Sequence, residues 1–198
     1  MEQINTKEIV TAKDYPLSDI LKGKKYTVDY FQREYSWKKE NIQQLVTDLV
    51  DAFENDYKPG DGPDKTADYR SYFMGPIVLC EKNGISSIID GQQRLTSLTL
   101  FLIYLRHKAG DKVAEIDDLI YSSQRGNKSF NIQILEREEC IRALFEKGEY
   151  NTKEDDSTSI INMEARYSDI DEVFPDDFVG EKLESFVYWI IYNIIIVR

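Results

Sequence analysis

Histidine is almost missing from this 198-residue chain, where His107 stands alone. One imidazole excludes a Ser-His-Asp hydrolase, a His-rich zinc site and a His-dependent metal-finger nuclease within these residues. Cysteine is scarce as well: Cys80 and Cys140 make neither a disulfide framework nor a ligand cluster, which fits a reducing cytoplasm. No Gly-x-x-x-x-Gly-Lys-Ser/Thr loop and no Gly-x-Gly-x-x-Gly turn occurs, so neither a P-loop nor a Rossmann dinucleotide site is supported. The start, Met-Glu-Gln-Ile-Asn-Thr-Lys-Glu, lacks a basic head and an apolar signal core, and no export is indicated. The apolar run from Phe186 to Val197 is too short for a membrane span and contains Asn193, so it reads as a buried strand or helix.

What is present is a folded composition with lopsided charge. A 41% hydrophobic fraction with 12% aromatics can build a substantial core, either as one large domain or as one domain with a helical extension. Residues 1–110 carry 15 Lys/Arg and 16 Asp/Glu, a net −1, whereas residues 111–198 carry 10 and 20, a net −10. The second half repels nucleic acid, so any grip on a DNA backbone has to come from the first. Its acidic surface suits solvation or a basic partner.

The strongest local signal is Ile88-Ile89-Asp90-Gly91-Gln92-Gln93-Arg94-Leu95-Thr96, an apolar run that ends in a glycine turn and opens into a helical pattern. Unpaired N–H groups and the positive end of the helix dipole would converge near Gly91, and Arg94 adds a forked cation in the first turn. Phosphate is the expected guest. On the local pattern alone the same residues also suit a plain connector, with Asp90 as N-cap and Arg94 as a surface charge.

Residues 76–81 and 85–89 are β-prone runs around Lys82-Asn83-Gly84, which predicts an antiparallel hairpin. Leu95, Leu98, Leu102 and Leu105, widened by Phe101 and Ile103, predict a core-facing helix of about four turns. His107 falls at its end, where a helix-terminal surface role is expected. Upstream, the spacing predicts a short helix over 15–25, a strand from Tyr26, and a helix over 37–56 capped by Ser36, with Asp48, Asp51 and Glu54 on a solvated face. Residues 57–70 read as a polar Pro/Gly loop, and Tyr72-Phe73-Met74-Gly75 extends the hairpin's first strand. Beyond the long helix we expect a weaker helix near 113–120, a strand at 129–135, a helix over 137–147, an acidic loop at 148–158, and helices over 160–173 and 176–189. No internal repeat is evident.

Three separated segments, Phe31-Gln32-Arg33-Glu34-Tyr35-Ser36-Trp37, Tyr72-Phe73-Met74-Gly75-Pro76-Ile77-Val78 and Ile89-Asp90-Gly91-Gln92-Gln93-Arg94-Leu95-Thr96, together resemble the N-terminal domain of GmrSD-type restriction endonucleases. The resemblance covers most of residues 15–145. It implies an α+β, ParB/sulfiredoxin-like fold: a small mixed or antiparallel sheet with packed helices over 1–110, followed by an acidic, mainly helical extension over 111–198. It also implies a cytoplasmic bacterial protein of anti-phage restriction that hydrolyses nucleoside triphosphates. DNA would be engaged through the full-length protein, with cleavage by a separate C-terminal nuclease domain or partner subunit, and self-association stays open. Family members usually continue past an apolar segment like Ile190 to Val197, so the chain is expected to be a fragment.

At single residues the resemblance implies that Arg94 holds a phosphate bidentately, that Gln92 and Gln93 donate amides to phosphate or position water, and that Gly91 lets the backbone come close. Asp90 would ligate Mg²⁺ or only cap the helix. Arg33 would neutralise a second phosphate and Gln32 orient water, since phosphoryl transfer demands mostly positioning and charge stabilisation. Tyr35 and Trp37 would stack on a base or pack under the following helix. A non-catalytic nucleotide- or DNA-binding sensor stays open beside the hydrolase, because both need Arg94 and the glycine turn.

Overall fold

The computed structural model describes residues 12–28, 34–82, 84–124 and 126–198. It begins with β1 (Asp14–Pro16), α1 (Leu17–Leu21) and β2 (Tyr26–Val28). Next come α2 (Lys39–Glu54), a 3-10 helix (Pro63–Asp68) inside the polar loop, β3 (Tyr72–Pro76), β4 (Val78–Lys82) and β5 (Ile85–Asp90). The long α3 (Gln92–Ala109) runs into a 3-10 stretch (Gly110–Ile116) and α4 (Asp117–Ile120), then β6 (Tyr121–Gln124), β7 (Asn127–Phe130) and β8 (Ile132–Gln133). The chain closes with α5 (Glu138–Lys147), α6 (Thr158–Val173), α7 (Gly180–Asn193) and β9 (Ile194–Val197).

The strands form two small sheets and a separate β6–β7 hairpin, with helices packed around them. One sheet has the order β4-β5-β2-β8: β4 and β5 are antiparallel as the Asn-Gly signal predicts, while β2 runs parallel to both β5 and β8. In the other sheet β9 lies between β1 and β3, antiparallel to β1 and parallel to β3. The final apolar run is therefore split: Ile190 to Asn193 end a helix and Ile194 to Val197 form a central strand. A run of Ile-Ile-Ile-Val suits a strand hydrogen-bonded on both edges.

Helix α3 is the centre of the core. Every residue from Leu95 to Leu105 is buried, so its apolar stripe is far wider than one face and it is wrapped on all sides. Phe101 meets Phe174 and Phe186, and Phe53 of α2 packs against Phe186 at 5.2 Å, edge to face. Rings from α2, α3 and α7 thus share one cluster, fed from both sides of position 110. Among the described residues no helix is long and apolar enough to cross a membrane.

Several boundaries move for identifiable reasons. The second helix is capped at Lys38, whose N–H donates to Asn41 Oδ1 at 2.9 Å; Ser36, the expected cap, is drawn away because its N–H donates to Gln93. The strand expected over 129–135 breaks at Asn131. Its amide donates to the carbonyls of Leu21 and Asp118, both at 2.8 Å.

Candidate functional site

The parallel pairing of β2 with β5 sets Val28 opposite Ile88, so both strands end on the same edge of the sheet. Asp90 ends β5, Gly91 turns the chain, and α3 begins at Gln92. Ligands in open sheets with parallel strands gather at the carboxyl ends, where loops and helix N-termini meet. Gly91 has φ +89°, and a Cβ there would lie 2.8 Å from Ile77 Cγ2, so both the conformation and the space call for glycine. The Gly91 carbonyl accepts the first intrahelical bond, from Leu95 N–H at 3.0 Å. Among the described residues no side chain caps this helix, and its first turn holds no acid. The N–H groups of the first turn are consequently open to an outside acceptor. Asp90, expected as a cap in one reading, is instead an exposed strand residue paired with Val78.

Arg94 is held by a strand the sequence reading did not connect to it. Its guanidinium lies against Gly75 of β3, with Cζ and Nη1 each 3.1 Å from where a Cβ would sit, and Nη1 donates to the Pro76 carbonyl at 2.7 Å. Gly75 has φ +104° and sits at a bulge, where β3 advances from Phe73 to Gly75 while β9 advances only from Ile195 to Ile196. An isolated glycine within a strand-like run is the signal that announces such a bulge. The last strand of the chain therefore helps to shape the seat of Arg94.

Tyr72 and Asp48 complete this corner. The Tyr72 hydroxyl donates to Asp48 Oδ2 at 3.4 Å, and Gln44 Nε2 donates to the other carboxylate oxygen at 2.5 Å. Burial raises the Tyr72 phenol above its ordinary range; Asp48 adds to the rise and the Arg94 charge opposes it. Asp48 was expected on a solvated face and is instead half-buried beside the arginine's strand.

The two glutamines differ. Gln92 is half-exposed in the first turn, whereas the Gln93 amide is engaged at both ends: Nε2 donates to the Glu34 carbonyl at 2.5 Å and Oε1 accepts from Ser36 N–H at 3.0 Å. Gln32 and Arg33 lie outside the described residues, but the chain that follows them is fastened to the first turn of α3. Of the two readings open for Tyr35, stacking on a base or packing, the structure has the packed one: it is a core residue 1% exposed. Its hydroxyl pairs with Ser97 Oγ at 2.7 Å, its N–H donates to Ser159 Oγ at 2.9 Å, and Asn162 donates to its carbonyl at 2.9 Å. Burial pushes its phenol up to about 12. Trp37 is half-buried, and its carbonyl accepts from Arg166 at 3.1 Å. His107 lies apart from these residues in the fold, its ring nitrogen Nε2 bonded to the Leu144 carbonyl at 2.8 Å. Among the described residues no three His, Cys, Asp or Glu side chains are grouped to hold a metal.

Fold and site define a mixed α+β domain with an arginine-bearing strand–turn–helix at the carboxyl ends of two parallel strands. Residues 17–197 match the GmrSD restriction endonuclease N-terminal domain, and the chain belongs to that family. Membership places it in a restriction system. A comparison with curated proteins finds no match.

Proposed function

We propose that the edge formed by the ends of β2 and β5 binds the phosphates of a nucleoside triphosphate and that the domain hydrolyses it within the restriction system. The observation that carries this reading is the uncapped N-terminus of α3 at Gly91, with Arg94 seated beside it. Backbone donors at a positive helix end and a planar forked cation are what a phosphate chain requires, while the close approach at Gly91 is taken by Ile77. Gln92 donates a further amide; Arg33 would neutralise a second phosphate and Gln32 orient water, both lying outside the described residues. Asp90 offers one exposed carboxylate, and Mg²⁺ bound by one or two carboxylates together with substrate phosphates and water is the usual arrangement. Trp37 remains half-exposed for a base. On this reading the fold is ParB/sulfiredoxin-like, DNA is engaged through the full-length protein, and cleavage belongs to a nuclease domain or partner subunit.

One observation favours the second reading, a nucleotide sensor without turnover: the Gln93 amide already serves the backbone at both ends and is not free to orient water. Calorimetry with each NTP, paired with phosphate release in Mg²⁺, separates the two. Removing Arg94 as one charge-assisted partner should cost about 2–5 kcal/mol of binding. A folded Arg94→Ala protein that binds as tightly as the parent would sink both readings. Tight binding without phosphate release leaves the sensor.

A further inference from the structure

A cavity of about 530 Å³ opens at the opposite edge of the same sheet, where β2 and β5 begin. Its wall includes Lys24, Lys25 and Arg198 together with the polar side chains of Asn127 and Gln133. Among its described lining residues Glu81 is the one with a side-chain carboxylate, and it is already paired with Arg198 at 2.6 Å. In a chain of net charge −11 this hollow is locally cationic.

Lys25 forms its floor in an unusual way. Its ammonium reaches the carbonyls of Ser129 at 2.6 Å and Ser122 at 2.8 Å and Asn131 Oδ1 at 2.9 Å, all neutral oxygens. It has no ion pair among the described residues, and burial lowers it to about 8. A half-buried charge held only by dipoles is stable there but uncompensated. The cavity beside it presents Lys24 and the guanidinium of Arg198, which also holds Glu81, together with neutral donors to complete an anion's shell.

We infer that this cavity is a second anion site, distinct from the Arg94 edge, that takes a phosphate group. Lys24 and Arg198 contact the anion, Asn127 and Gln133 supply neutral donors, and Lys25, whose N–H groups are committed, acts through its charge. The volume suits a small phosphorylated molecule, and the same donors would serve one phosphate of a DNA backbone.

The test is a titration of the full chain followed by amide NMR, using inorganic phosphate, a nucleoside monophosphate and a short DNA duplex in turn. Saturable shifts at Gly84, Asn127 and Gln133 are expected. They should persist in Arg94→Ala and weaken about tenfold in Lys24→Ala/Arg198→Ala, the effect of losing two partly exposed contacts. Shifts with the small phosphates assign a small-molecule site, and shifts confined to the duplex assign a nucleic-acid backbone contact. Absence of saturation with all three probes, equal shifts with chloride at matched ionic strength, or loss of the response in Arg94→Ala would overturn the inference. Failure here leaves the amides of residues 91–94 free to respond to NTP, so it is distinguishable from failure of the Arg94 site.

Discussion

Gln93 holds Ser36. Its side-chain oxygen accepts the Ser36 N–H while its amide nitrogen donates to the carbonyl of Glu34, so one residue of the α3 first turn clasps two residues of a segment nearly sixty positions away. With Tyr35 between them anchored to Ser97 in the second turn, the same helix that offers its N-terminus also fixes the chain following Gln32 and Arg33.

Replacing Gln93 by Ala should therefore loosen residues 34–36 before it affects any ligand directly. Two net hydrogen bonds at an exposed clasp are worth about 1–2 kcal/mol together. Faster amide exchange at Ser36, accompanied by a modest fall in the denaturant midpoint, is the expected result. Unchanged protection of Ser36 would mean that the clasp does not hold the segment.

Gly91 and Gly23 offer a matched pair. Both have positive φ, but a Cβ at Gly91 would strike Ile77 whereas one at Gly23 would meet nothing within 4 Å. Gly23→Ala should cost about 1–2 kcal/mol from backbone strain alone. Gly91→Ala adds steric overlap and should cost about 2–4 kcal/mol. Equal losses in urea unfolding would show that the contact with Ile77 relaxes freely.

Local patterns carried much of this fold: the Asn-Gly hairpin, the long helix after Gly91 and the strand at Tyr26 all follow from residues close in sequence. What they could not carry was pairing at a distance. The insertion of β9 between β1 and β3 joins residues 14–16, 72–76 and 194–197, and no periodicity records that choice. The site divides along the same line. Gly91 and Arg94 are announced by the strand–turn–helix pattern. The seat of Arg94 on Gly75, the approach of Asp48 to Tyr72 and the burial of Tyr35 are set by tertiary packing.

Buried phenols make stability fall in alkali. Burial pushes Tyr26, Tyr35 and Tyr167 from the ordinary 10.0 up to about 12. Between these values the unfolded chain has released phenolic protons that the folded chain retains, so the contribution present below pH 10.0 is lost as pH rises through about 12. Urea midpoints across this window should decline, and tyrosinate absorbance of the folded protein should rise late. Tyr35→Phe should make the decline shallower, while losing about 0.5–1.5 kcal/mol at neutral pH with the Ser97 bond. An equally steep decline in the variant would place the alkaline sensitivity in other groups.

Gly75 and Arg94 should act as one unit in ligand binding. Any side chain at position 75 enters the space of the guanidinium, at 3.1 Å from Cζ, and also strains a backbone held at φ +104°. Gly75→Ala should therefore displace Arg94 from its seat on the Pro76 carbonyl and weaken NTP binding by a large part of the loss expected for Arg94→Ala. A double-mutant cycle separates this from general damage. Once Arg94 is Ala, adding Gly75→Ala should change binding little, although it should still lower stability by about 1–2 kcal/mol from the backbone. The side-chain N–H signal of Arg94 provides a check that needs no ligand: in the parent it should exchange slowly because Nη1 is bonded to Pro76, and in Gly75→Ala it should broaden or shift. If Gly75→Ala weakens binding equally with and without Arg94, the glycine acts through the fold at large. The bulge in β3 would then not be the device that aims the arginine.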